Sequence, residues 1–86
     1  MIYRVTLSKE ALKDLSKLKR AGLLEKAMKL LNLLESDPFT TVPRYEKLVG
    51  DLSGLYSRRI NHQHRLVYSV GEDGLVSVYR MWTHYD

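Results

Sequence analysis

Between Tyr45 and Tyr68 the chain carries a carboxylate (Glu46), three arginines (Arg58, Arg59, Arg65) and two histidines (His62, His64). Its last five residues, Trp82-Thr83-His84-Tyr85-Asp86, add a third imidazole, a phenol and another carboxylate. Carboxylate, guanidinium, imidazole and phenol are the groups that cleavage of RNA through its own 2′-hydroxyl needs, because that reaction moves two protons and gathers charge on a phosphate. The histidines also admit a metal reading, since the His62-x-His64 spacing sets two imidazoles on one strand face and His84 supplies a third. The chain has no cysteine, and no acidic cluster lies beside these histidines, so the metal-free reading is preferred.

Each group also has a plainer explanation. A glutamate in a basic loop is ordinarily a solvated charge, and a histidine near a chain end is ordinarily just exposed. Arg58 and Arg59 suit a solvated surface with one ion pair, to Glu46 or Asp51. Arg65 serves a structural salt bridge as readily as a ligand. The six tyrosines and Trp82 can stack on bases or complete a small core.

The size of the chain bounds what can hold these groups. Its 86 residues make one domain, spanning 1–86. A chain this short buries only about 60–65% of the surface that its unfolded form exposes, which disfavours a deep enclosed pocket. A formal charge of +4 and a pI near 9.5 favour a polyanionic partner. The absence of cysteine excludes disulfides and is compatible with a reducing compartment. Met1-Ile2-Tyr3-Arg4 leads into a strand-like pattern without an apolar signal core, and no run approaches the roughly 18 apolar residues of a membrane span. The expectation is a cytoplasmic protein without membrane contact.

Residues 2–7 alternate in character and predict a strand. Ser8 is a candidate N-cap, with Glu10 in the first helical turn. Ala11, Leu12, Leu15 and Leu18 then recur at helical spacing up to Gly22, a C-cap signal. A second helix starts near Leu23, with Leu24, Ala27, Met28, Leu31 and Leu34 on one face, and ends at Asp37-Pro38. Phe39 to Val49 lacks periodicity and predicts a loop that holds Glu46 outside the regular elements. Leu55–Ile60, His64–Val70 and Leu75–Trp82 read as strands, joined by turns at Asn61-His62-Gln63 and Gly71-Glu72-Asp73-Gly74. The expected fold is α+β: a strand, an antiparallel two-helix hairpin and a three-stranded antiparallel meander, forming one mostly antiparallel sheet with both helices on one face.

Alternation within the strands then sorts the candidates. Arg65, Val67 and Ser69 share one face of the middle strand, and the more apolar Leu66, Tyr68 and Val70 the other. The apolar set should lie under the helices, leaving Arg65 on the free face with small neighbours. Arg58 and Arg59 are adjacent and must point to opposite faces unless a bulge intervenes.

The strings Glu46-x-Leu48, Asp51-Leu52-Ser53-Gly54-x-Tyr56-Ser57-Arg58-Arg59-Ile60, His64-Arg65-Leu66-Val67-Tyr68 and His84-Tyr85 resemble the Txe/YoeB toxins of bacterial toxin–antitoxin systems, within the RelE superfamily. The resemblance is specific through the second half; in the first half only the layout and Asp37-Pro38-Phe39 agree. It implies a RelE-like fold and a ribosome-dependent mRNA endonuclease that cuts in the A site, silenced by an acidic, partly disordered antitoxin. By motif position Glu46 would be the general base, Arg65 would stabilise the scissile phosphate, His84 would protonate the leaving 5′-oxygen and Tyr85 would orient or assist. Arg59, Arg58 and Lys47 would contact RNA phosphates. No cofactor or metal is implied, and a homodimer is compatible with the resemblance. Two departures stand out: Val49 occupies a usually basic position, and Asp86 extends a family ending of His-Tyr. Negative charge beside His84 favours imidazolium but repels phosphate. Members of the same superfamily that poison gyrase, which are not expected to need this acid–base set, and inert RNA-binding modules, which would bind RNA with a steep salt dependence and no cleavage, are the alternatives.

Overall fold

A computed structural model describes residues 2–83 of the chain. Its elements are β1 (Arg4–Leu7), α1 (Lys9–Arg20), α2 (Leu24–Ser36), β2 (Tyr45–Lys47), β3 (Tyr56–Arg59), β4 (Arg65–Val70) and β5 (Leu75–Thr83), with one 3₁₀ turn at Gly50–Leu52. The helix boundaries follow from local chemistry. Ser8 Oγ accepts the Ala11 N–H at 3.0 Å, which satisfies one of the orphan donors at the start of α1. At its other end Gly22 takes φ +74°, Gly22 N–H reaches Lys19 O and Leu23 N–H reaches Leu18 O at 2.8 Å. That pair of bonds is a Schellman closure, and it turns the chain directly into α2.

The strands form one five-stranded sheet in the order β1-β5-β4-β3-β2, antiparallel except for the parallel β1–β5 pair. Both helices pack on one face. Ala11, Leu18, Ala27, Leu30, Leu31 and Leu34 meet Leu66, Tyr68, Val76, Val78 and Met81 in the core, with Val5, Leu7 and Val70 against them. The α+β architecture is as expected, and Leu66, Tyr68 and Val70 lie under the helices. Leu12 and Met28, assigned to the apolar faces, are instead exposed, because the buried stripes centre on Ala11–Leu18 and on Ala27–Leu34.

The largest departure is β2. Tyr45–Lys47 is not loop but a short edge strand, with Glu46 opposite Ser57 of β3. Three residues are too few to show a period, and the strand exists because β3 offers an edge. The segment before it is held by Arg58, whose side chain is buried rather than solvated. Arg58 Nη2 donates to Pro38 O and Thr40 O (3.0 and 2.7 Å), Nη1 to Pro43 O (2.6 Å) and Nε to Tyr68 Oη (3.0 Å). The Tyr45 ring lies 5.0 Å from the guanidinium carbon, and Tyr45, Tyr56 and Phe39 make edge-to-face contacts around it. A loop without periodicity is thereby fixed by its carbonyls.

Candidate active site

Register decides which side chains meet. Glu46 faces Ser57, Ser57 faces Val67, and Arg59 faces Arg65 across the β2–β3–β4 ladder. These residues share the side of the sheet away from the helices, because directly paired residues project from the same face. Arg65 Nη1 stands 3.3 Å from Glu46 Oε2 and 3.3 Å from Ser57 Oγ. The Arg65 side chain is 17% exposed and that of Glu46 55%, so the cation is anchored while the carboxylate stays accessible. Pro43, Arg44, Glu46, Ser57, Arg59 and Arg65 line an open cleft of about 400 Å³. Three guanidinium groups face one carboxylate there, which makes the cleft a place for an anion.

An ion pair as exposed as Glu46–Arg65 contributes only about 0–1 kcal/mol to stability. The salt bridge, read earlier as the plain alternative for Arg65, is therefore a poor explanation of why a cation is set into this face. The arrangement holds a carboxylate, able to accept a proton, and a guanidinium, able to bind an anion, 3.3 Å apart on an open surface.

The remaining expected site residues divide. Arg59 joins the cleft. Arg58 does not: it is on the helix face, 1% exposed, with four of its five N–H donors spent on the loop and on Tyr68, so its assignment to RNA or phosphate is corrected. Lys47 lies opposite Tyr56, hence on the other face of β2 from Glu46, and is exposed beside Leu48, Val49 and Ser53 rather than in the cleft. His62 is exposed in its turn, whereas His64 is buried and stacks on Trp82 with ring centroids 3.8 Å apart, so the two histidines do not share a surface. His84, Tyr85 and Asp86 lie outside the described residues. Thr83, the residue before His84, is paired with Arg65 across the ladder.

Two polar cleft residues escaped the sequence reading. Ser57 was legible in principle, since it alternates with Arg59 on the same face of β3. Arg44 carries no such signal, because its position depends on the anchored loop before β2.

Comparison with known proteins bears on this geometry. A family model described as the YoeB-like toxin of bacterial type II toxin–antitoxin systems matches residues 7–85. Toxin YoeB of Synechocystis is 42% identical over 65 residues, covering 76% of this chain and 69% of that protein. Two mycobacterial relatives are 47% identical over 45 residues, and the chain spans 53% of their length, about half. Among solved structures, the YoeB/ParE toxin from Agrobacterium tumefaciens aligns with a TM-score of 0.84 at 30% identity, over 95% of this chain and 99% of that one. A heterotetrameric YoeB–YefM toxin–antitoxin complex from Staphylococcus aureus aligns with a TM-score of 0.80 at 31% identity, over 99% and 100% of the two chains.

Proposed function

This chain belongs to the YoeB-like toxins of bacterial type II toxin–antitoxin systems, and from that membership we propose that it is a ribosome-dependent mRNA endoribonuclease that cuts in the A site. The observation that carries the reading is the Glu46–Arg65 pair at 3.3 Å in a cleft rich in arginine. An incoming scissile phosphate competes with Glu46 for Arg65, and the displaced carboxylate is left beside the substrate as a proton acceptor. Glu46 takes the 2′-hydroxyl proton, the 2′-oxygen attacks phosphorus, and Arg65 and Arg59 stabilise the charge on the phosphoryl oxygens. His84 gives a proton to the leaving 5′-oxygen, with Tyr85 orienting it. The products are a 2′,3′-cyclic phosphate and a 5′-hydroxyl, formed without a metal.

A cleft this open lacks the walls to hold a flexible strand in line for attack. Orientation is worth about 7–11 kcal/mol to such a reaction, and the ribosomal A site supplies it. The Staphylococcus aureus relative is solved both with YefM and as a dimer. This chain is likewise assigned a cognate antitoxin, acidic and partly disordered until bound, and a cytoplasmic site of action. No described helix is long and apolar enough to cross a membrane.

The test is cleavage of a defined mRNA with and without programmed ribosomes, with 5′ ends mapped. Codon-phased cuts that need ribosomes and vanish in Glu46→Gln and His84→Gln are expected. Cuts undiminished in both variants would overturn the assigned roles. Intact mRNA with DNA-damage signalling in expressing cells would favour gyrase as the target instead.

A further inference from the structure

The β4–β5 ladder is regular from Val70↔Val76 to Tyr68↔Val78 and then breaks twice, with Val67 opposite Arg80 and Arg65 opposite Thr83. Each break spends one extra residue of β5, so Arg65 faces Thr83 where an uninterrupted ladder would set it against Met81. Two residues at about 3.3 Å each draw the end of β5 back by about 7 Å. Without the bulges Thr83 would pass the start of β4 and lie level with Gln63, well beyond the cleft.

Both bulges are gripped by α1 and its N-cap. At the first, Ser8 Oγ donates to Tyr79 O at 2.7 Å while accepting the Ala11 N–H. At the second, a single oxygen of Asp14 accepts from Met81 N–H (2.8 Å), Trp82 N–H (3.1 Å) and Arg80 Nε (3.0 Å). Asp14 is 1% exposed on the buried face of a helix. A carboxylate there costs stability unless it is engaged, and two of its three partners are backbone donors at the bulge. Trp82 is further fixed by its stack on His64.

We propose that α1 is a register clamp, with Asp14 and Ser8 as positioning residues that hold the end of β5 level with Arg65. The inference rests on His84 being the proton donor, because Thr83 is the residue from which His84 continues. Releasing the bulges lets β5 slide toward the uninterrupted register and carries Thr83 past Arg65, and a 1 Å misplacement of a reacting group is enough to cost about 10²-fold in rate.

The experiment is single-turnover cleavage of ribosome-bound mRNA by the full chain, at a temperature where every variant is folded, with ribosome concentration varied. Asp14→Ala is expected to cleave about 10²-fold more slowly, with the half-saturating ribosome concentration unchanged within about 2-fold. Asp14→Asn, which keeps an oxygen able to accept the same bonds, restores most of the rate. Ser8→Asp serves if Asp14→Ala does not fold: aspartate caps a helix as well as serine but cannot donate to the Tyr79 carbonyl. Its melting temperature should stay near wild type while the rate falls about 10-fold. Leu34→Ala, a core truncation in α2, should melt earlier and yet cleave at the wild-type rate. Wild-type rates in Ser8→Asp and Asp14→Ala, or an equal fall in Leu34→Ala, would overturn the clamp. A His84→Gln variant that cleaves normally would instead overturn the proton-donor reading beneath it.

Discussion

Arg58 supports a prediction that runs against simple charge conservation. Its guanidinium is buried with no carboxylate partner among the described residues; three carbonyls, one phenol and the Tyr45 ring surround it. Arg58→Met removes the cation and its desolvation cost together. Pro38 O keeps its bond from Tyr68 Oη at 2.8 Å, so only Thr40 O and Pro43 O lose the donor seen here. Two orphaned carbonyls at about 1–3 kcal/mol each, eased by water at this partly exposed loop, give a loss of about 2–3 kcal/mol. Arg58→Lys keeps the charge but gathers its donors at one point on a flexible stem. It cannot span four acceptors, and a buried ammonium without its bonds is left, at about 3–5 kcal/mol. Total stability for this length is about 4–13 kcal/mol, so the lysine variant removes a large share. Urea titration followed by Trp82 fluorescence is the assay. At a slope of about 1 kcal/mol per molar, the midpoint should fall by about 2–3 M for methionine and further for lysine. A lysine variant as stable as wild type, or clearly more stable than the methionine variant, refutes the fork argument. Selective loss of RNA binding without loss of stability would return Arg58 to the surface set from which the structure removes it.

Two further predictions concern the site and its support. Arg65→Lys keeps a charge near Glu46 but loses the planar fork, so ribosome-dependent cleavage should fall by about 10–10³-fold while the urea midpoint moves by less than 0.5 M, about 0.5 kcal/mol; an unchanged rate would remove Arg65 from the chemistry. Burial raises the Tyr68 phenol above its ordinary pKa, against the opposing pull of the Arg58 hydrogen bond and charge. A folded pKa above the unfolded value means the contribution is whole below about pH 10 and is lost as pH climbs through the folded value. Tyr68→Phe should therefore melt below wild type at pH 8, by about 1–3 kcal/mol, and the gap should narrow above pH 10; melting curves that stay parallel would refute it.

The parts legible in the sequence were those set by local pattern. Ser8, Gly22 and Asp37-Pro38 marked the helix ends, and alternation put Leu66 and Tyr68 beneath the helices with Arg65 opposite. The same rule set Arg58 and Arg59 apart, which the structure bears out, but could not say which would be buried. That outcome depends on three carbonyls in a loop that has no pattern of its own. The strand β2 and the bulges of β5 were hidden for a related reason: each depends on a partner distant in the chain. Asp14 could have been found. It falls between Ala11 and Leu18 on the buried stripe of α1, and a lone carboxylate there must be met by donors from elsewhere.

The apolar core alone does not explain how the functional groups are held. Leucine and valine packing fixes the layers of this fold but tolerates sliding along a strand, since one residue of slip exchanges faces and two restore them. The two arms that approach Arg65 are instead indexed by buried polar groups. Arg58 ties down the segment that leads into β2 and so sets Glu46; Ser8 and Asp14 tie down β5 and so set the residue opposite Arg65. Hydrogen bonds have one geometry at each end and do not slip by a residue, which is what a site built on strand ends requires. Burying those groups costs stability that an apolar pair would not, and the expense falls where register matters rather than through the core. The cleft on the open face is formed by side chains of β2, β3 and β4 with few walls around it, so positional precision of those groups is what the fold can contribute there.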